Sequence, residues 1–205
     1  MALGDDLDRL YDDCIPPDLG ADFLRLLSKH FADTPDFVEA YWHAAEARDL
    51  LGHIRRANFE QDWRSLGERT VGVVALAETN PRGTSSYTVF TAGRLVLTSS
   101  CVETPSSLPR PAEFRRRNAE QRQLEIFRPA SIVLNEVYGI LTYGGVGRKL
   151  TFAQIGFPDA SCEAWLHRID LRSKYPDVWG DLNPEGARPV QPEAPVKLLR
   201  QDDKA

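Results

Sequence analysis

The chain has 205 residues, 42% hydrophobic and 27% charged, with a net charge of −5. That apolar fraction is enough for a sizeable core and excludes global disorder. The longest apolar runs, such as residues 71–77, fall far short of the roughly 20 residues a membrane span needs, and Cys14, Cys101 and Cys162 form no CxxC pair and no disulfide framework.

The acidic start lacks the basic residues and apolar stretch of a secretory signal, so a cytoplasmic protein is expected. Charge is unevenly placed. Residues 1–50 carry 4 Lys/Arg against 12 Asp/Glu, and residues 51–150 carry 14 against 9. An acidic and a basic pole are therefore expected, the basic one suited to an anionic partner.

Residues 1–68 read as a helical region. Leu19, Phe23, Leu26, Leu27 and Phe31 recur at helical spacing over Asp18–Ala32. Thr34-Pro35 has the form of a fresh helix start, a hydroxyl cap before a first-turn proline. Beyond it, Phe37 to Leu66 keep mostly helical spacing. This predicts one long helix, or two broken near Gly52 or Asn58.

Residues 69–180 read as a sheet with two helices, expected to form one domain with residues 1–68 by shared apolar faces. Thr70–Glu78, Tyr87–Ala92 and Arg94–Ser99 are strand-like and separated by turn residues, which predicts an antiparallel meander. A helix is expected from Pro111 to about Gln123. Ile132–Tyr143 and Lys149–Phe157 flank a glycine-rich turn and predict a hairpin, apolar on both faces and so central. Ala160–Leu171 reads as a closing helix with Trp165, Leu166 and Ile169 inward. Residues 184–205 carry several prolines without periodicity and predict a flexible tail. The fold class expected is α+β: an N-terminal helical layer on an antiparallel sheet of five or six strands, with one interrupting and one closing helix.

The densest basic segment is Phe114–Arg122. Arg115 and Arg122, seven residues apart, share a helix face, while Arg116 and Arg117 point elsewhere. Arg115, Arg122 and Arg128, with Arg148 and Lys149 from the hairpin turn, form the candidate anion-binding set. Tyr143 joins it as an aromatic that stacks on a ligand. Guanidinium groups suit phosphate and carboxylate because their planar fork donates two parallel hydrogen bonds. The glycine turn is not a phosphate loop, because a strand and not a helix follows it.

Cys162 falls in the first turn of the expected closing helix, where a thiol is acidified, but no histidine reaches it along that helix. Thr98-Ser99-Ser100 and Asn135-Glu136 lie in or beside expected strands and are weak candidates for polar chemistry. The four histidines lack metal-ligand spacing, and no catalytic or metal residue and no cofactor is assigned. The function expected is a non-enzymatic binding protein of adaptor, regulatory or immunity type. It would contact an anionic or protein partner through the arginine surface or the acidic helices, with no membrane association. The alternatives are an enzyme acting on a phosphorylated or nucleotide-like substrate, with Glu136 or Cys162 reactive, and a nucleic-acid binder. The overall negative charge disfavours the last.

Overall fold

The computed structural model describes residues 3–80, 83–123 and 136–183. Three helices come first: α1 (Leu3–Cys14), α2 (Pro17–Tyr41) and α3 (Ala44–Arg69). Six strands follow: β1 (Val73–Thr79), β2 (Ser86–Ala92), β3 (Leu95–Cys101), β4 (Val137–Val146), β5 (Lys149–Pro158) and β6 (Trp165–Asp170). Helix α4 (Glu113–Gln123) interrupts them between β3 and β4, and the short helices α5 (Leu171–Lys174) and α6 (Pro176–Leu182) follow β6. The fold is the expected α+β type, helices packed on a mostly antiparallel sheet.

The strands lie in sequence order, β1 to β6. Every neighbouring pair is antiparallel except β3 and β4, which run parallel from Leu95↔Val137 to Cys101↔Tyr143. A parallel step needs a long crossover, and residues 102–136 supply it. That crossover carries α4 to the opposite face of the sheet from α1–α3. Val96, Tyr138 and Ile140 turn toward α4 and bury Ala119. The alternate residues of the same strands face the helical layer, among them Leu95, Leu97 and Leu141. The β4–β5 hairpin is central and covered on both sides, as its two apolar faces required. Its turn opens on Gly147, whose φ of 58° a side chain would resist.

The main core joins helices to sheet through aromatic rings. Trp63 and Phe90 stack with centroids 4.8 Å apart, Phe59 stacks on Trp63 at 5.6 Å, and Phe23 meets Trp63 and Phe90 edge-on. All four side chains are fully buried.

Three local expectations are corrected. Pro35 does not begin a helix; it lies inside α2, which continues to Tyr41. The Thr34 hydroxyl caps nothing and has no hydrogen-bond partner among the described residues. Phe31, Thr34, Pro35 and Val38 are all buried, so packing of this face outweighs the hydrogen bond the proline removes. Second, the break between helices comes at Trp42–His43, where the backbone turns extended, and α3 runs unbroken past Gly52 and Asn58. Third, Ala160–Leu171 is no helix. Trp165–Asp170 is edge strand β6, paired with β5. Residues four apart share a face in a strand as well as in a helix, so the Trp165/Ile169 spacing fits both. The ring of Trp165 lies over Gly156, where a Cβ would collide with it. The expected tail, residues 184–205, lies outside the described residues.

Burial ranks the tryptophans. Trp63→Ala removes a stacked, fully buried ring and is expected to cost about 3–5 kcal/mol. Trp165 is only partly buried, so Trp165→Ala is expected to cost less than half of that by urea denaturation.

Candidate functional site

The β2–β3 ladder stops early. Its paired residues are Ala92↔Leu95, Thr91↔Val96 and Phe90↔Leu97. Continued in register, Thr88 would face Ser99. Instead Glu60 of α3 enters the gap. Its Oε2 accepts the Thr88 backbone N–H at 2.7 Å, and its Oε1 accepts the Ser99 hydroxyl at 2.5 Å. Two arginines take carbonyls along the same split. Arg56 donates to Ser86 O at 2.7 Å, and Arg115 reaches Ser99 O at 3.4 Å and Ser100 Oγ at 3.2 Å. Charged side chains thus replace backbone partners where two strands part, which answers the demand that buried polar backbone be satisfied.

The parted strands open a cleft of about 410 Å³ between α3 and the start of α4. Arg56, Glu60, Ser99 and Arg115 line its interior, hydroxyls of Thr84, Ser85 and Ser86 border it, and exposed Glu113 lies on its rim. One wall is aromatic: Tyr87 stacks on Phe114 at 3.9 Å, and the Arg115 guanidinium lies over Phe114 at 4.8 Å.

Arg115 is the unusual group. Burial first, and the like charge of Arg56 to a lesser degree, pull its guanidinium below the ordinary arginine range. Its hydrogen bonds go to carbonyls of Arg110 and Ser99 and the hydroxyl of Ser100, all neutral. Among the described residues its buried Nε has no hydrogen-bond partner and no carboxylate forms an ion pair with it, although Glu60 attracts it across the cleft.

The other expected site residues separate. Arg122 shares the sheet-facing side of α4 with Arg115 but binds Glu136 at 2.9 Å and Asn118 at 2.6 Å, beside an adjoining cleft of about 390 Å³. Arg128 lies outside the described residues. Arg148 sits at the hairpin turn, where it pairs with Asp36 of α2, and exposed Lys149 begins β5 beside it. That turn is tied to the helical layer, not to the cleft. Tyr143 is buried in the core, its ring against Phe31 and Phe59, and has no face on which a ligand could stack. Burial raises its phenol well above the usual range.

Cys162 is not an activated thiol. Without the expected helix no dipole acidifies it. It occupies a turn with φ 58°, bonded to Arg115 O at 3.6 Å, and burial pushes it up to about 11. Among the described residues, no group of three or more His, Cys, Asp and Glu could hold a metal.

Glu60 and Arg56 were missed from sequence. The available signal was a charged pair four apart, Glu60 falling among Phe59, Trp63 and Leu66 on the inward side of the helix. Ser99 stood out only as part of a hydroxyl run. No protein-family model matches this chain, and neither curated proteins nor solved structures give a match.

Two outcomes follow from this geometry. Glu60→Ala leaves two buried donors without acceptors, so denaturation should show a loss of about 2–5 kcal/mol. Burial pushes the Cys162 thiol up to about 11, so little thiolate forms near pH 8. Its alkylation by iodoacetamide, followed site by site by mass spectrometry, should be slow at pH 8 and rise steadily toward pH 10.

Proposed function

We propose that this chain is a binding protein that receives an anionic group of its partner, a phosphate or a carboxylate, in the cleft between α3 and α4. The observation that carries the reading is the pairing of Arg115 with Arg56: Arg115 is half-buried, among the described residues it hydrogen-bonds only to neutral groups, and it lines a cleft it shares with Arg56. Two guanidinium groups against the single carboxylate of Glu60 make the interior positive, with the opposing Glu113 carboxylate out on the exposed rim. A bound anion balances that charge and accepts hydrogen bonds from the two guanidinium groups. The hydroxyls around the mouth add neutral donors, and the Tyr87–Phe114 pair supplies a flat apolar wall beside them.

A second reading, an enzyme acting on a phosphorylated substrate, rests on the 2.5 Å bond from the Ser99 hydroxyl to Glu60 in the same cleft. Two facts weigh against it. Ser99 is only 4% exposed, and both Glu60 oxygens are already committed.

Calorimetric titration with inorganic phosphate and with phosphoserine, at low and moderate salt, tests the binding reading. Either probe should bind, more weakly as salt rises, and Arg56→Ala should weaken it at least about tenfold with the fold intact. Arg56 is the better probe because it is less enmeshed than Arg115. Binding unchanged in Arg56→Ala, or none with either probe, would overturn the reading. Turnover of a phosphomonoester that Ser99→Ala abolishes would favour the enzyme.

A further inference from the structure

We infer that the exposed aromatic surface at the α2–α3 junction docks a basic segment of a protein partner. Phe37, Tyr41 and Trp42 expose 46%, 71% and 38% of their surface. They are not scattered. Their ring centroids lie 5.2, 6.2 and 5.9 Å apart pairwise, so the three form one continuous platform. Isolated apolar residues on a surface need no explanation, but a contiguous group of large rings marks an interaction site. Tyrosine and tryptophan are also the residue types that most often anchor protein interfaces.

The surroundings select the partner. Asp33 stands one turn before Phe37 in the same helical row as Tyr41 and is exposed, whereas Glu39, two residues from either ring, falls on another side of the helix. Arg148 of the hairpin turn neutralises Asp36 and also attracts Glu39. From His30 to Ala47 the chain contains no Lys or Arg. The platform therefore has electron-rich faces and the Asp33 carboxylate in their own row, but no cation from its own stretch of chain. Arginine or lysine side chains stack on such faces and pair with such carboxylates, and neighbouring apolar residues cover the remaining ring surface. An acidic protein or a nucleic acid would be repelled. The surface shares no residue with the α3–α4 cleft, so the inference stands independently of it.

The test is fluorescence anisotropy of the full chain with a labelled peptide of alternating Arg and Leu, and a matched peptide with Glu in place of Arg. The basic peptide should bind and the acidic one should not, with binding weakened by salt. Tyr41→Ser with Trp42→Ser should weaken it at least about tenfold, while circular dichroism and the thermal midpoint stay unchanged. Asp33→Asn, which leaves the rings in place, should weaken it as well and keeps the test valid if the first variant unfolds. No binding of the basic peptide, or binding that neither variant alters, overturns the inference. So does a dimer seen by sedimentation that Tyr41→Ser/Trp42→Ser dissociates, because the occupant is then a second copy.

Discussion

A carboxylate set between two strands organises this molecule. Glu60 holds Thr88 on β2 and Ser99 on β3, and the ladder between those strands ends at Phe90↔Leu97. A buried carboxylate is costly unless its oxygens are satisfied, and here both are, each by a short bond. Arg56 and Arg115 take the carbonyls left over on the two strands. The cleft is the consequence: strands that no longer pair leave room between them, bounded by polar groups that already face inward.

The position of that wedge depends on the aromatic core beneath it. Glu60 follows Phe59 and sits one turn before Trp63, and both rings are locked against Phe23, Phe90 and Tyr143. Helix α3 therefore cannot slide along the sheet without breaking several stacked contacts. The stability of the core and the geometry of the cleft are coupled through one turn of one helix.

Polarity is divided over the molecule in a way its net charge hides. The acidic excess of residues 1–50 lies on the helical layer, which also carries the Phe37–Tyr41–Trp42 platform. The arginines of α4 lie across the sheet. Only some of them stay free of the fold: Arg116 and Arg117 are exposed, whereas Arg115 and Arg122 are drawn inward to carbonyls and a carboxylate. A basic run in sequence is thus split by helical geometry into a solvated side and a structural side.

Period and turn chemistry were legible directly. The helical stripe of Leu19, Phe23, Leu27 and Phe31, the meander and the glycine-turned hairpin all follow from local spacing, because these preferences act within a few residues. Local rules failed where tertiary packing opposed them, as at Pro35, held inside α2 by the buried faces around it. They also failed where one pattern fits two structures, as with Trp165 and Ile169. Arg115 was visible as a charge, but its burial and its unmatched Nε were not. The meeting of Arg56, Glu60, Ser99 and Arg115 joins residues up to 59 positions apart through the parting of β2 and β3. By itself the sequence determined the N-terminal helical stripe, the meander and the two-faced central hairpin, since burial on each face is written in the local period. Only the tertiary structure decided where the ladder stops and which charges share a cleft, because those depend on groups brought together across the sheet.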